Sequence, residues 1–159
     1  MAECNSNCAT CSTSCKSGCP LCNVKGKTVP LITVKSLVKN GADYLNDNQA
    51  YICINRKCNV IYFQEENPKY FIKEEVKVPV WFKAKLNEYI VCYCNNVKLQ
   101  DIVEIVKTSD KDNLTKEDIF NILNITEGKN CLYTNPVGES CDKLFANAIE
   151  FAYKQKNNE

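Results

Sequence analysis

The chain contains no histidine and a single arginine, Arg56, among its 159 residues. Without imidazole groups, histidine-ligated metal sites, a Rieske-type centre and serine–histidine or cysteine–histidine catalytic pairs are all excluded. Because nearly all positive charge is on lysine, bidentate phosphate recognition is poorly supplied. The formal net charge of +1 gives no strong field that would favour a nucleic acid or a membrane as partner.

Long hydrophobic runs are also absent. No apolar stretch reaches the roughly 20 residues that a transmembrane helix needs, and the first residues, 1–6, have no apolar segment typical of a signal peptide. We therefore expect a cytoplasmic protein that does not insert into membranes. The sequence has no glycine-rich nucleotide-binding pattern and no hydrolase constellation, so we predict no catalytic residues.

Cysteine, in contrast, is abundant, with twelve residues. In a reducing compartment such thiols serve as metal ligands more often than as disulfides. Sites made only of sulfur ligands typically hold zinc or an iron–sulfur cluster. In chain order the cysteines form three quartets: Cys4, Cys8, Cys11 and Cys15; Cys19, Cys22, Cys53 and Cys58; Cys92, Cys94, Cys131 and Cys141.

The first quartet lies in residues 1–17, a small, polar segment that cannot bury much apolar surface. We predict a flexible tail, and two interpretations of its cysteines remain open. They are either simple thiols on a mobile segment or a soft-metal site, with Cu(I) as the candidate ion because thiolates select it. On a helix formed around a bound ion, the four cysteines would share one face.

The second quartet has the spacing of a zinc ribbon. Cys19-x2-Cys22 precedes a glycine-bearing turn, and Cys53-x4-Cys58 lies between two predicted strands, 51–54 and 59–63. A helix over 34–39, capped by Thr33, is predicted between the two cysteine pairs. These four residues therefore predict a structural zinc site, the alternative being four unrelated buried thiols.

The third quartet comes from two separated loops. Cys92 and Cys94 follow a short apolar strand and come just before a predicted helix, whose N-terminus favours negative charge. Cys131 and Cys141 bound a loop with an Asn-Pro turn, and Cys141 also precedes a helix. Four thiolates from two loops are what a [2Fe–2S] cluster requires.

These patterns predict an α+β fold. A zinc-binding subdomain, 18–86, with a small zinc-ribbon-like β-hairpin would precede a mostly helical cluster-binding subdomain, 87–159. The inward residues of the later helices are predicted as Leu99, Ile102, Val103 and Val106, then Ile119, Ile122 and Leu123, and finally a stripe over 142–154. Val76, Val78 and Val80 alternate like an edge strand, and Trp81 and Phe82 are expected to pack between the halves.

Five blocks together resemble a known family, the N-terminal domain of CopZ-type copper chaperones. In chain order they are Cys19-Pro20-x-Cys22, Ile32-Thr33-Val34-Lys35-Ser36-Leu37, Cys53-x4-Cys58-x-Val60-x-Tyr62-Phe63, Val91-Cys92-Tyr93-Cys94 and Asn135-Pro136-x-Gly138-x-x-Cys141. The second half also resembles the helical [2Fe–2S] module of bacterioferritin-associated ferredoxins.

The resemblance implies zinc at Cys19, Cys22, Cys53 and Cys58, and a [2Fe–2S] cluster at Cys92, Cys94, Cys131 and Cys141. The family's copper-carrying Met-x-Cys-x-x-Cys module has no counterpart, because the only methionine is Met1. Copper would then have to pass to the first quartet or to a separate metal-trafficking or redox partner.

The function predicted from the sequence is one-electron transfer by an iron–sulfur and zinc protein, linked to copper reduction and trafficking. The main alternative is a non-redox zinc module for protein interaction or metal sensing, in which the third quartet holds a second zinc ion. Nucleic-acid binding is disfavoured because the lysines near the ribbon are diluted by acidic residues. A thiol–disulfide oxidoreductase is disfavoured because no Cys-x2-Cys pair lies between a strand and a helix.

Overall fold

A computed structural model describes residues 17–158 of the protein. The first quartet of cysteines lies outside these residues. The described part is an α+β fold, as predicted. Its strands are β1 (Lys27–Val29), β2 (Ala50–Ile52), β3 (Val60–Gln64), β4 (Phe71–Ile72), β5 (Ile90–Cys92) and β6 (Val97–Lys98). Its helices are α1 (Leu31–Leu37), α2 (Leu99–Thr108), α3 (Lys116–Leu123), α4 (Cys131–Thr134) and α5 (Asp142–Asn157), with 3-10 turns at Ala42–Tyr44, Lys73–Glu75, Trp81–Lys83 and Leu86–Glu88.

Strands β1 to β4 form an antiparallel sheet in sequence order. The predicted hairpin is its centre: β2 pairs with β3, and Tyr51 lies opposite Phe63, with their rings stacked at 5.5 Å. All residues of β3 are buried, which is expected of a central strand covered on both faces. The two strands of this hairpin place Cys53 and Cys58 together at its tip.

Helix α1 begins earlier than the sequence indicated. It runs over Leu31–Leu37 and is preceded by Pro30, whose fixed φ suits a helix start. Thr33 is therefore buried inside the first turn and is not the cap. The predicted edge strand at 76–80 was also wrong: Val76 makes only an isolated bridge with Val38, and the chain then turns into the 3-10 helix Trp81–Lys83.

The second half is mostly helical. Helix α2 packs along α5, and β5 and β6 form a two-stranded sheet before α2. Thr115 caps α3 as predicted, its hydroxyl accepting the Asp118 amide. Ile122, predicted to point inward, is 55% exposed, and Phe120 is buried instead. Between residues 17 and 158, none of the helices combines the length and the apolar character needed to cross a membrane.

Two hydrophobic cores lie on either side of one tryptophan. The first core contains Val29, Val34, Leu37, Ile52, Ile61, Tyr62, Phe71 and Val137. The second core contains Val91, Leu99, Ile102, Val106, Ile119, Phe120, Phe145 and Ala148. Trp81 packs against both cores, as expected from the sequence. Its amide donates to the hydroxyl of Tyr93 (3.1 Å), which donates in turn to the Pro79 carbonyl (2.6 Å).

Candidate metal centres

The second quartet forms a compact group of sulfur atoms. The Sγ atoms of Cys19, Cys22, Cys53 and Cys58 all lie within 4.8 Å of one another. Two of the separations are 3.8 Å, for Cys19–Cys58, and 3.6 Å, for Cys22–Cys53. A tetrahedral zinc ion with Zn–S bonds of about 2.3 Å needs sulfur atoms roughly 3.8 Å apart. The donor set and its spacing therefore fit one tetrahedral ion.

The loop around Cys19 and Cys22 is closed by its own backbone. The Cys19 amide donates to Val24 (2.9 Å), and the Asn23 amide donates to Cys19 (2.8 Å). Asn23 adopts φ 56°, a left-handed conformation that asparagine tolerates. Gly26 allows this loop to lie close to the sheet, because a Cβ atom there would be 2.7 Å from the Phe63 ring.

The loop from Cys53 to Cys58 is a second tight turn. The Cys53 amide donates to Ile61 (2.8 Å), which continues the β2–β3 pairing up to the site. The Cys58 amide donates to the Asn55 carbonyl (3.1 Å), and the Asn55 side chain accepts the Lys57 amide (3.1 Å). The two loops thus hold their sulfur atoms by local hydrogen bonds that the Cys-x2-Cys and Cys-x4-Cys spacings allow.

The thiols of this group differ in acidity. Burial raises the pKa of Cys19, and it raises the pKa of Cys53 to about 12. Burial also acts on Cys22, but hydrogen bonds from the Val24 amide, the Asn55 side chain and the neighbouring thiols outweigh it and lower its pKa to about 7. Since only a thiolate binds a metal, Cys22 is more readily prepared for binding near neutral pH than Cys19 and Cys53 are.

The third quartet is brought together in two pairs. Cys92 and Cys141 are both buried, and the interaction between their side chains shifts the pKa of each thiol. Cys94 and Cys131 are half-buried, with their sulfur atoms 3.8 Å apart. Within the described residues, no second group of three or more ligand atoms is gathered as tightly as the first site. The third quartet is therefore more extended than a site for one tetrahedral ion.

Charge is unevenly distributed over these two pairs. The hydrogen bond from Cys141 lowers the pKa of Cys92 to about 6 and raises that of Cys141 itself. Burial raises the pKa of Cys131. One thiolate, that of Cys92, is therefore already favoured at neutral pH before any metal binds.

Three neighbours of the third quartet were not predicted from the sequence. The Asn95 side chain donates to the Cys92 sulfur (3.6 Å) and to the Thr126 carbonyl (3.0 Å). The Thr134 hydroxyl lies 3.2 Å from the Cys94 sulfur. Gly128 packs directly on Cys94, since a Cβ atom there would be 2.3 Å from the Cys94 Cβ. Only Asn95, next to the second cysteine, carried a local signal, because asparagine is common in tight turns.

One predicted feature of this site needs correction. Cys94 does not lie directly before a helix, because β6 intervenes and α2 starts at Leu99. The residue before α2 is Lys98, whose amide donates to the Asp101 carboxylate (2.8 Å). Cys141, in contrast, immediately precedes α5 as predicted.

The loop from Cys131 to Cys141 is held by the first half of the chain. The Thr33 hydroxyl of α1 donates to the Leu132 carbonyl (2.6 Å), and the buried Tyr62 hydroxyl donates to the Pro136 carbonyl (2.7 Å). Val137 is buried in the first core. At Gly138, with φ 69°, a Cβ atom would lie 2.5 Å from the Thr33 hydroxyl oxygen. Two cysteines of the third quartet are thus positioned by the sheet and helix that surround the second quartet.

Replacing Tyr62 with phenylalanine should test this attachment. The Pro136 carbonyl would lose its buried donor, so we expect the free energy of unfolding to fall by about 1–3 kcal/mol. Denaturant unfolding measures this loss. Tyr44→Phe, at a tyrosine that is 69% exposed, is the matched control and should change stability little. Equal effects of the two substitutions would mean that the Tyr62–Pro136 hydrogen bond does not stabilise the loop.

Comparison with known proteins relates the chain to a metal-binding family. Residues 16–77 match a CopZ-type family described as a zinc binding domain, and this range includes the whole second quartet. The chain is 33% identical over 123 residues to the copper chaperone CopZ of Archaeoglobus fulgidus, and it spans 57% of the length of that protein. It also resembles the crystal structure of the N-terminal domain of the same CopZ, with a TM-score of 0.63 and 31% identity over 82% of this chain and 95% of that one. The chain therefore belongs to the family of CopZ N-terminal domains.

Proposed function

We propose that the protein holds zinc at Cys19, Cys22, Cys53 and Cys58 and a [2Fe–2S] cluster at the third quartet, and that it transfers single electrons in copper handling. In this proposal residues 18–86 form the zinc-binding subdomain, and residues 87–159 form the cluster-binding subdomain. The observation that carries the proposal is the different spacing of the two groups of sulfur atoms.

Zinc is supported by a donor set of four thiols with the separations of a tetrahedral site. Such a closed site, with no position left for water or substrate, is structural. The matched zinc binding domain covers the same residues. The role proposed for zinc is to fix the two cysteine loops at the end of the sheet.

A binuclear cluster is supported by the pairing within the third quartet. Each iron of a [2Fe–2S] cluster takes two thiolates, and thiolates on different irons are farther apart than ligands of a single ion. The pairs Cys92–Cys141 and Cys94–Cys131 suit this requirement. No three sulfur atoms of the third quartet are gathered as tightly as those of the second quartet, which disfavours a second zinc there. When bound, the cluster supplies a one-electron redox couple.

The protein would surround that couple asymmetrically. Cys92 and Cys141 are buried against the second core, which excludes water from one side. Cys94 and Cys131 are half-buried, so the other side lies close to the surface. An electron carrier needs this arrangement, because a redox partner must come close to the cluster while most of the cluster stays shielded from water.

The link to copper comes from the relative, which is named a copper chaperone. Reduction of Cu(II), the substrate, to Cu(I) takes one electron and yields an ion that thiolates bind well. The acceptor of Cu(I) would be the first quartet, Cys4, Cys8, Cys11 and Cys15, or a separate metal-trafficking protein. Of these four, Cys8 and Cys11 have the Cys-x2-Cys spacing closest to a copper-binding pair.

Metal analysis of the anaerobically purified protein tests the proposal directly. We expect about one zinc, two irons and two acid-labile sulfides per chain, with visible absorption that bleaches on reduction. The reduced protein should then convert Cu(II) to Cu(I), measured with a Cu(I)-specific chelating dye. A colourless protein with two zinc ions would refute the cluster. Unchanged copper retention after deletion of the first sixteen residues would remove the first quartet from the mechanism.

A second candidate function is a zinc module for protein interaction. Two aliphatic side chains on the two cysteine loops are unusually exposed, Leu21 at 57% and Ile54 at 48%. Exposed apolar residues beside a rigid site are typical of a contact surface. The iron content of the purified protein distinguishes the two functions, because a zinc module for protein interaction would contain no iron.

A further inference from the structure

Lys83 makes an unusual set of contacts with the second cysteine loop. Its ammonium group donates to the carbonyl oxygens of Asn55 (2.8 Å), Cys58 (3.0 Å) and Val60 (2.9 Å). An ammonium group has three donors, so all three are used on this loop and on the start of β3. The side chain is half-buried, whereas nearby Lys85 is exposed.

We infer that Lys83 is a positioning residue for the proposed zinc site, which fixes the loop from Cys53 to Cys58 and offsets the negative charge of the metal-loaded thiolates. This inference rests on the zinc binding proposed above. Four thiolates around a divalent ion leave about two negative charges in excess. Those charges are partly buried, so a cation close to them stabilises the loaded state more than an exposed one would.

The geometry supports both parts of this role. Asn55 and Cys58 are joined by the turn that brings the Cys58 sulfur to the site, and the Asn55 carbonyl accepts both the Cys58 amide and Lys83. The Cys58 carbonyl accepts a second bond from Lys83 (3.0 Å), so the ammonium charge lies against the backbone of one of the proposed ligand residues. A lysine that only filled space would not need three carbonyl partners on one metal-binding loop.

The segment that carries Lys83 is itself well anchored. Lys83 is the last residue of the 3-10 helix Trp81–Lys83, and its amide donates to the Val80 carbonyl (2.8 Å). The carbonyl of Phe82, the preceding residue, accepts a hydrogen bond from Arg56 Nε (2.8 Å). Because Arg56 lies on the loop from Cys53 to Cys58, this bond attaches the loop to the same 3-10 helix at a second point. Lys83 therefore approaches the loop from a fixed position, which limits the entropy lost when the metal binds.

Three variants of the full chain separate charge from geometry. Lys83→Met removes both and should lower the zinc affinity about 10- to 100-fold, the range typical of residues that orient metal ligands. Lys83→Arg keeps the charge, but its planar guanidinium cannot reproduce three converging bonds, so an intermediate loss is expected. Lys85→Met removes an exposed lysine two residues away and should leave the affinity unchanged. Competition with a zinc chelator measures all three.

Two further readouts distinguish positioning from a general loss of stability. Amide hydrogen exchange at Cys58 should accelerate in Lys83→Met and not in Lys85→Met. The affinity difference between wild type and Lys83→Met should shrink at high salt, because screening weakens the interaction between charges. Equal zinc affinity of wild type and Lys83→Met would overturn the inference, as would a salt-independent difference with unchanged exchange. A wild-type chain that binds no zinc would instead refute the proposed function.

Discussion

A Cys19→Ser/Cys22→Ser double variant is expected to bind no zinc, to lose the ordered sheet and to incorporate little iron. Structural zinc contributes about 10–16 kcal/mol of apparent binding free energy at neutral pH. The net stability of a whole domain is only about 5–15 kcal/mol. A small four-stranded sheet whose two cysteine loops depend on the ion should therefore not remain folded without it.

The loss of iron follows from the contacts between the two halves. The loop from Cys131 to Cys141 is held by Thr33 and Tyr62, and Val137 is buried in the first core. When the first half unfolds, the loop loses these contacts, and two of the four proposed cluster ligands are no longer positioned.

Circular dichroism and metal analysis measure both losses. Cys8→Ser is the control, because it removes a thiol that belongs to neither of the two described groups of cysteines. A double variant that keeps its near-ultraviolet spectrum and a full complement of iron would show that the zinc half is not needed to position the loop.

Replacing Gly128 with alanine should remove iron while zinc stays bound. The added Cβ would lie 2.3 Å from the Cys94 Cβ and 2.9 Å from its sulfur, separations that force Cys94 or the glycine to move. The Cys94 sulfur lies 3.8 Å from that of Cys131 in the half-buried pair, so a shift there separates the pair. We expect iron incorporation to fall at least about tenfold.

The adjacent variant Lys129→Ala provides the control, since that side chain is exposed. Iron and zinc contents of both variants, measured after anaerobic purification, give the comparison. Normal iron in Gly128→Ala would mean that Cys94 is not held where the proposed cluster requires it. Loss of both metals would instead indicate that the substitution unfolds the whole chain.

Local sequence patterns predicted some elements well and others badly. The β2–β3 hairpin and the Thr115 cap were predicted because alternation and the Thr-x-x-Asp spacing are signals within a few residues. The predicted start of α1 was wrong because Thr33 has the side-chain chemistry of a helix cap. In the structure the helix begins after Pro30, and the Thr33 hydroxyl donates to the Leu132 carbonyl instead of capping the helix.

The neighbours of the metal centres could not be predicted for a related reason. Each of these neighbours contacts residues 23 to 74 positions away in the sequence. Lys83 contacts Cys58 and Val60, Tyr62 contacts Pro136, and Gly128 contacts Cys94. A lysine, a tyrosine or a glycine taken alone gives no indication of such a partner. These contacts exist only because the tertiary fold brings together residues that are far apart in the sequence.

The amino-acid sequence by itself determined which side chains are candidate soft-metal ligands, because histidine is absent and the spacing of the twelve cysteines groups them in fours. Only the tertiary structure decided the spacing within each group: one compact set of sulfur atoms and one set divided into two pairs. The physical reason is that ligand type is a property of each side chain, whereas the distance between ligands from separate loops is set by the packing of the elements that carry them.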